Sequence, residues 1–270
     1  MSRRNLQLTA GAILSAMVLL MVVAGMFYAP HPPNRQNLER RLEAPSRKHW
    51  LGTDHFGRDI LSRILVGGRP VLQAGLVAVC LGLSLGILWG ALAGFYGGLA
   101  DEILMRLADG LYALPSILMA LLAVTLLGPG QPSILIAVAI ANIPIFARLT
   151  RACFLELKER EFVLAAKALG STNWRIIFYH ILPNAMPTLL VQASVSFAAT
   201  VLAEASLSYL GLGIQPPHAS WGRMLREAQA AASIAPWTTI FPGLMIALTV
   251  LGFNQLGDGL RNAFDPRRWQ

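Results

Sequence analysis

Charged residues are scarce in this 270-residue sequence, where Asp, Glu, Lys and Arg together make up 13%, against roughly 25% in soluble domains. Hydrophobic residues make up 55%, and the mean hydropathy is +0.54. So little charge excludes an ordinary cytosolic enzyme, and so much apolar surface excludes a disordered chain. Apolar runs of bilayer-crossing length follow one another, so the sequence predicts an integral membrane protein with several spans.

Lysine and cysteine are also rare. The three lysines are Lys48, Lys158 and Lys167, and none follows the glycine pattern of a phosphate-binding loop. We therefore do not expect this chain to bind and hydrolyse ATP. The two cysteines, Cys80 and Cys153, have no metal-ligand spacing. Since catalytic motifs such as G-x-S-x-G and H-E-x-x-H are missing as well, we expect no catalytic residue, cofactor or metal in this chain.

Hydropathy predicts six membrane spans. They run approximately over Leu8–Tyr28, Val71–Tyr96, Leu111–Leu127, Ile134–Leu149, Thr188–Leu210 and Thr239–Leu256. The first apolar run is long, so we expect an uncleaved anchor rather than a cleaved signal peptide. On this division, residues 1–69 form an anchor helix with an extracytoplasmic loop, 70–258 form the transmembrane domain, and 259–270 form a cytoplasmic tail.

Positive charge orients these spans only weakly. Arg3 and Arg4 precede the first span and favour a cytoplasmic amino terminus. With six spans, 12 Lys and Arg residues then lie inside and 10 outside, and eight of the outer ones fall in residues 29–70. The net charge of +8 is spread between apolar runs and forms no continuous stripe, which argues against nucleic-acid binding. Charge counting alone leaves the orientation open.

The stretch Leu155–Pro183 is more organised than an ordinary connection between spans, and we call it the helix–turn–helix segment. Four residues recur at helical spacing and predict one apolar face: Phe162, Ala165, Ala166 and Leu169. Gly170 is placed to end this helix, residues 171–173 offer caps for a second helix, and Pro183 is placed to close it. Such a segment is either an amphipathic surface helix among lipid headgroups or a docking element for another protein.

The residues of this segment resemble the EAA loop of permease subunits of bacterial ABC importers. The shared pattern is Ala165-Ala166-x3-Gly170 followed by Ile181-Leu182-Pro183; the Glu that the family places before the alanines is Leu164 here, with Glu161 one turn earlier. Three further segments resemble the dipeptide, oligopeptide and nickel branch of that family, and within it the C-type permease. They are His49–Arg69, Leu202–Gly222 and Gly252–Arg267.

The resemblance implies an all-α, type I permease fold of about six transmembrane helices in a bacterial inner membrane, with both termini cytoplasmic. It implies a second permease, two ABC ATPase subunits that hold ATP and Mg, and an extracytoplasmic solute-binding protein. The implied solutes are di- and oligopeptides, with nickel or another small solute as an alternative. An ion-driven secondary carrier is the rival from a different class, and a membrane anchor without transport activity is a second rival.

The resemblance also makes the helix–turn–helix segment the cytoplasmic coupling loop that sits in a groove of an ATPase. The implied coupling residues are Glu161, Ala165, Ala166, Gly170, Leu182 and Pro183. Arg160, Lys167 and Arg175 are expected to pair with acidic groups of the ATPase or with lipid phosphates.

Three other features within or beside the spans carry expectations. Glu204 is the one carboxylate inside a predicted span, and it is either a pathway or gating residue or a structural hydrogen-bonding site. A glycine recurs every fourth residue along the second span and predicts close helix packing: these are Gly82, Gly86 and Gly90. Trp221 and Trp237 are expected to anchor the protein at the membrane interface, and a short helix is expected within residues 221–232.

Overall fold

The computed structural model describes residues 3–264. Its α-helices are α1 Arg3–Phe27, α2 Ile60–Tyr96, α3 Gly98–Tyr112, α4 Ser116–Leu127, α5 Gln131–Leu157, α6 Glu161–Ala168, α7 Asn173–Arg175, α8 Leu182–Leu210, α9 Trp221–Ala228 and α10 Trp237–Phe264. Residues 3–264 contain no β-strand, only an isolated bridge between Thr53 and Asp59. The prediction of an all-α protein is confirmed.

Five helical stretches are long and apolar enough to cross a membrane. They are Leu8–Phe27, Ile60–Tyr96, Gln131–Leu157, Asn173–Leu210 and Trp237–Phe264. In place of the predicted third span, the chain has α3 and α4 with a bend of 85° between them. The 12 residues of α4 reach about 18 Å, which is short of a hydrocarbon core of roughly 30 Å.

The third span predicted over Leu111–Leu127 is thus a bent helix pair instead of one helix, and counting the pair as one span gives the predicted total of six. Pro115 stands at the bend, just before α4 begins. Proline has no N–H to donate and disfavours helical backbone at the residue before it, here Leu114. The hydropathy average stays high across the bend, because the residues around Pro115 and Ser116 are apolar. Hydropathy alone therefore does not reveal the bend. Residues 3–264 thus contain five long membrane-capable helices and one bent pair.

The glycine stripe of α2 packs against α5 of the same chain. A Cβ atom on Gly82 would lie 2.4 Å from Cβ of Asn142, and one on Gly86 would lie 2.4 Å from Cβ of Phe146. One on Gly90 would lie within 2.3 Å of a backbone oxygen of α5. The predicted packing role is confirmed, and the partner is an internal helix. Because the glycines have no side chain, α2 and α5 approach each other closely along this stripe.

The connections gather at two ends of the helix bundle. At one end, which we call the proximal end, the helix–turn–helix segment lies beside the end of α2, where Nζ of Lys158 donates to the Gly94 carbonyl at 3.1 Å. At the opposite, distal end, Nε1 of Trp237 donates to the Thr53 carbonyl at 3.4 Å. Residues 28–59 and 211–236 meet there. The two ends therefore carry different structures.

Trp221 is fully buried at the distal end, so its predicted role as an interfacial anchor is wrong. Its Nε1 donates to the Ile64 carbonyl at 3.0 Å, and Gly68 makes room for the indole, since a Cβ there would lie 2.8 Å from Cζ2 of Trp221. Trp237 is half-buried. The short helix expected within residues 221–232 is confirmed as α9. The position of Trp221 beside an apolar run in the sequence does not reveal that this tryptophan is buried within the chain.

The predicted tail, residues 259–270, begins within a helix. Its first part, up to Phe264, continues α10 without a break, and a Cβ on Gly259 would lie 2.6 Å from Cα of Leu8. The start of this stretch is thus packed against α1. Arg267 and Arg268 lie outside the described residues.

Candidate functional site

The first half of the helix–turn–helix segment is α6, which ends in a Schellman motif. The Gly170 N–H donates to the Lys167 carbonyl at 3.0 Å, and the Ser171 N–H donates to the Ala166 carbonyl at 3.1 Å. Gly170 has φ +80°, a left-handed backbone that glycine adopts without a Cβ clash. The predicted helix and its glycine turn are confirmed.

The second half begins with α7 and continues into a membrane-capable helix. The Thr172 hydroxyl accepts from the Arg175 N–H at 3.4 Å and caps α7. Residues Ile176–Ile181 are π-helical, and α8 follows them directly. Pro183 stands in the first turn of α8, so the prediction that it closes a separate short helix is wrong. At the shift from π- to α-helical bonding, its missing N–H is tolerated.

The inner face of the segment is anchored in the hydrophobic core. Val163 and Ala166 of α6 are buried there. Three isoleucines of the π-helical stretch join the same core: Ile176, Ile177 and Ile181. Of the two alanines of the EAA-like pattern, Ala166 packs inside the chain and Ala165 is exposed. Sequence spacing could not separate them, because α6 is apolar on both faces.

The outer face of the segment carries an unusual amount of exposed apolar side chain, which we call the apolar docking face. Its members are Phe162, Leu164, Leu169, Trp174, Phe178 and Tyr179. Leu169 is 86% exposed and Tyr179 77% exposed. The rings of Trp174 and Phe178 stack with centroids 5.1 Å apart. Large exposed apolar side chains on a surface element are typical of a site that contacts a partner or lipid.

The other residues predicted to take part in coupling or in partner contacts differ in how they are held. Glu161 lies in the first turn of α6, where the helix dipole stabilises a negative charge. Leu182 packs against the hydrophobic core. Nη2 of Arg160 lies 2.6 Å from Oε1 of Glu156 in an exposed pair.

Lys167 and Arg175 also lie at the surface, in different surroundings. Nζ of Lys167 lies over the Phe95 ring, 5.8 Å from its centroid. Arg175 makes no ion pair with any residue in 3–264. Lys167 is thus partly engaged within the chain, whereas the charge of Arg175 is available to a partner.

The distal end contains a buried network that sequence reasoning missed, the five-residue ion cluster. Nη2 of Arg58 donates to Oε2 of Glu227 at 2.5 Å, and Nη2 of Arg63 donates to the same oxygen at 3.2 Å. Nε of Arg58 donates to Asp54 at 2.7 Å, and Nε of Arg223 donates to Oε1 of Glu227 at 2.8 Å. Arg58 is 4% exposed and Arg63 1%. Three guanidinium groups therefore share two carboxylates, away from water.

These charges shift the ionisation of the acid at the centre of the cluster. Burial, the largest single influence, raises the pKa of Glu227. The nearby guanidinium groups of Arg63, Arg58 and Arg223 together outweigh burial and hold the pKa of Glu227 below its ordinary value. The pairs join loop 28–59 to α9. The sequence signal was present in the charged spacing of His49–Arg69, but it did not name the distant partner Glu227.

One group of metal-capable side chains occurs among residues 3–264. Donor atoms of His31, His49 and Asp59 lie within 4.8 Å of one another. Nδ1 of His49 hydrogen-bonds Oδ1 of Asp59 at 2.8 Å, and Oδ2 of Asp59 accepts from the Ser62 N–H at 2.8 Å, capping α2. The donors are thus occupied in fixing the start of α2.

Glu204 lies on α8 and is 2% exposed. The Ser208 hydroxyl donates to Oε1 of Glu204 at 2.7 Å. The next residue, Ala205, touches α9: a Cβ on Gly222 would lie 2.2 Å from the Ala205 carbonyl oxygen. The side chain is buried, and its second oxygen, Oε2, has no hydrogen-bond partner among residues 3–264.

Solved structures show which class of protein has this fold. An inward-facing structure of the MetNI methionine ABC transporter superposes with a TM-score of 0.61 over 74% of this chain and 95% of that chain, at 18% identity. A crystal structure of an amino acid ABC transporter superposes with a TM-score of 0.55 over 73% and 90% of the two chains, at 19% identity. The fold is therefore that of ABC transporter membrane subunits.

Residues 86–270 match the family described as binding-protein-dependent transport system inner membrane component, and the chain belongs to this family. The dipeptide transport system permease protein DppC of Alkalihalophilus pseudofirmus is 44% identical over 98% of this chain and 87% of the relative. The glutathione transport system permease protein GsiD of Pectobacterium atrosepticum is 45% identical over 95% and 87%. The oligopeptide transport system permease protein OppC of Bacillus subtilis is 41% identical over 98% and 87%.

Family membership settles the broad class that the sequence left between alternatives. The chain is a multi-pass membrane protein and a non-catalytic permease subunit of an ABC importer. An ion-driven secondary carrier and a membrane anchor without transport activity are set aside.

Proposed function

We propose that this chain is one of two permease subunits of a bacterial importer that moves di- and oligopeptides inward across the inner membrane. Relatives that cover nearly the whole chain are named for dipeptides, glutathione and oligopeptides. Glutathione is itself a tripeptide, so the three names share one chemical class. The second permease, two ATPases that bind ATP and Mg, and an extracytoplasmic solute-binding protein complete the assembly.

The observation that carries the coupling role is the two-sided construction of the helix–turn–helix segment. Its outer side presents the apolar docking face, which suits a groove on an ATPase. Its inner side is fixed in the core through Val163 and Ala166. We therefore assign ATPase contact to Ala165 and the docking face, and internal packing to Ala166.

The segment is also continuous with a membrane-capable helix, which suggests how movement is transmitted. Asn173–Leu210 forms a continuous 38-residue helical stretch, and the isoleucines of its π-helical part lie in the core. A push on the docking face would shift α8 as a rod instead of bending a loop. ATP-driven closure of the ATPases would in this way exchange inward-open and outward-open states.

This role makes the proximal end, and both termini, cytoplasmic. The distal end then faces the solute-binding protein. The ion cluster would hold loop 28–59 against α9 on that outer side while the helices move beneath them. The numerous arginines of residues 29–70, which obey the positive-inside rule poorly, are then explained by partners and by the cluster.

The test is to purify the tagged chain from its native membranes in mild detergent and to identify what accompanies it. We expect two ATPases and a second permease. After reconstitution into vesicles with the solute-binding protein, we expect ATP-dependent uptake of a labelled dipeptide. Recovery of the chain alone, with uptake driven by an ion gradient, would contradict the importer. ATP-dependent uptake of nickel without uptake of peptide would keep the assembly and overturn the substrate.

A further inference from the structure

A cavity of about 510 Å³ opens at the distal end of the chain. Its walls come from α2, the turn between α4 and α5, and the loop after α8, with Pro33 and Asn34 at its margin. Small-molecule sites commonly have volumes of 300–1,000 Å³. The cavity is therefore large enough for a short peptide or for one end of a longer one.

The lining of this cavity has a distinct chemistry. It contains four side-chain amides, from Asn34, Gln73, Gln131 and Gln215. Arg69 is the one lining residue with a permanent charge, and the lining contains no carboxylate. Within residues 3–264, Arg69 makes no ion pair. The cavity thus offers one uncompensated guanidinium among neutral hydrogen-bonding groups.

One wall of the cavity, the loop after α8, is held in place by hydrogen bonds of its own. Nε2 of Gln215 donates to the carbonyls of Gly211 and Gly213 at 3.0 and 2.8 Å, and Nη1 of Arg223 donates to the Ile214 carbonyl at 3.0 Å. Arg223 also belongs to the ion cluster. The loop after α8 is therefore stiff, and the cavity does not depend on a ligand to form it.

The wall formed by α2 offers a backbone acceptor as well. Pro70 lies inside α2 and has no N–H to donate to the Val66 carbonyl one turn earlier. Val66 lines the cavity together with Pro70 and Arg69. The same wall thus combines a guanidinium, which matches a carboxylate, with a helix turn that has lost one of its N–H donors.

We propose that this cavity is an outer entry site for the transported peptide, in which Arg69 receives the peptide carboxylate. Arginine binds a carboxylate through two parallel N–H donors. The Nε2 groups of Gln131 and Gln215 already donate within the chain, and their side-chain oxygens can accept from peptide N–H groups of any sequence. Such a site recognises what all free peptides share, their terminus and backbone. The inference rests on the proposed function, since it names where a peptide first meets this subunit.

The direct test uses the assembled transporter in nanodiscs, with the solute-binding protein and a non-hydrolysable ATP analogue. The probe is a tripeptide that carries benzoylphenylalanine and a free carboxyl terminus. We expect photo-crosslinks at residues 66–73, 129–131 or 214–219. Arg69→Gln should lower their yield about tenfold, because a charge-assisted contact is lost. Arg69→Lys keeps the charge but not the paired donors, so it should restore only part of the yield.

Two controls separate the site from general damage. Arg47→Gln removes an exposed arginine that does not line the cavity and should leave the yield unchanged. The same tripeptide amidated at its carboxyl terminus should crosslink to the unmodified protein about as weakly as the free peptide does to Arg69→Gln. The crosslink yield of the amidated peptide should be the same for Arg69→Gln as for the unmodified protein, because the carboxylate that Arg69 would bind is already absent.

Each contrary result has its own meaning. Crosslinks elsewhere on the chain, or an equal yield from Arg69→Gln, would overturn the site while peptide uptake by the unmodified protein still supports the proposed function. Weaker binding of the peptide-free solute-binding protein to Arg69→Gln would assign Arg69 to a protein contact and overturn the site. If the unmodified protein shows no ATP-dependent peptide uptake at all, the proposed function fails and the site with it.

Discussion

Arg58 and Glu227 are 169 residues apart in the sequence, and their side chains meet at the distal end with Nη2 2.5 Å from Oε2. Arg58 precedes α2, and Glu227 lies on α9. This pair closes loop 28–59 onto the segment that follows α8. With Arg63 and Arg223 bound to the same carboxylate, Glu227 is the centre on which the distal structure depends.

Removing that centre should destabilise the protein strongly. In Glu227→Gln, the buried Arg58 and Arg63 keep one acidic partner, Asp54, and Arg223 loses its ion pair. Breaking a buried ion pair by removing one member costs about 3 kcal/mol or more, so we expect the midpoint of thermal unfolding in detergent to fall by roughly 6 °C or more. Glu156→Gln is the control, since it removes a pair whose acid is 67% exposed, and it should have little effect. Equal midpoints for the two variants would contradict this account of the cluster.

The contribution of Glu227 should also depend on pH. Its pKa is lower in the folded chain than its ordinary value of 4.5, so the carboxylate stabilises the folded state at pH values above 4.5. That stabilisation is lost as the pH falls from about 4.5 through the folded pKa. The difference in unfolding midpoint between the unmodified protein and Glu227→Gln should stay constant from pH 7 to 5 and narrow below 4.5. A difference that grows under acid conditions would refute the assignment.

The close packing of α2 against α5 can be tested at one glycine. In Gly86→Ala, the added methyl would lie 2.4 Å from Cβ of Phe146, so the helices must separate at a cost of about 1–3 kcal/mol. Gly110→Ala is the matched control, because nothing lies within 4 Å of its added Cβ, and alanine suits a helix better than glycine. We expect lower membrane levels and a lower unfolding midpoint for Gly86→Ala alone. Equal behaviour of the two would show that α2 and α5 are loosely packed.

The turn of the helix–turn–helix segment should be needed for coupling. Gly170→Val has room for its side chain but not the backbone freedom for φ +80°. The Schellman turn would distort, while the core-facing isoleucines stay packed. We expect normal membrane levels, retained ATPase activity and loss of most peptide uptake. Gly110→Val, also in open space but in ordinary helix, should keep uptake. Full uptake by Gly170→Val would refute the coupling role.

Charge at the docking face should contribute to ATPase attachment. Arg175 makes no ion pair in residues 3–264 and lies beside Trp174, so Arg175→Glu should reduce the amount of ATPase that co-purifies. The same substitution at Arg35, which is exposed at the distal end, should leave co-purification unchanged. If both variants retain the ATPase equally, Arg175 faces lipid phosphate or water. Arg160→Glu and Lys167→Glu should have smaller effects, since those cations already contact Glu156 and Phe95.

Local signals predicted the helices and the glycine turn, because each depends on residues a few positions apart. Hydropathy found the apolar helices, and Gly170 with Thr172 marked the turn and the second helix. Family resemblance then supplied what spacing could not, the role of the segment. What failed also has a local cause: Pro115 broke a run that hydropathy treats as uniform.

Contacts between distant parts of the chain were beyond such reasoning. Trp221 is buried because residues 219–228 fold back over α2, and nothing within that stretch reveals the cover. Asp54, Arg58 and Arg63 were visible as charges in a loop, but their burial depends on Glu227 far along the chain. The division between Ala165 and Ala166 likewise depends on which side of α6 meets the core.

The ion cluster can form only in a certain order during synthesis of the chain. Glu227, the carboxylate that receives both Arg58 and Arg63, is synthesised 164 residues after Arg63. Until then, Asp54 is the one acid of the cluster available to the two arginines. Loop 28–59 can therefore be closed onto the distal end only after α9 has been made and placed.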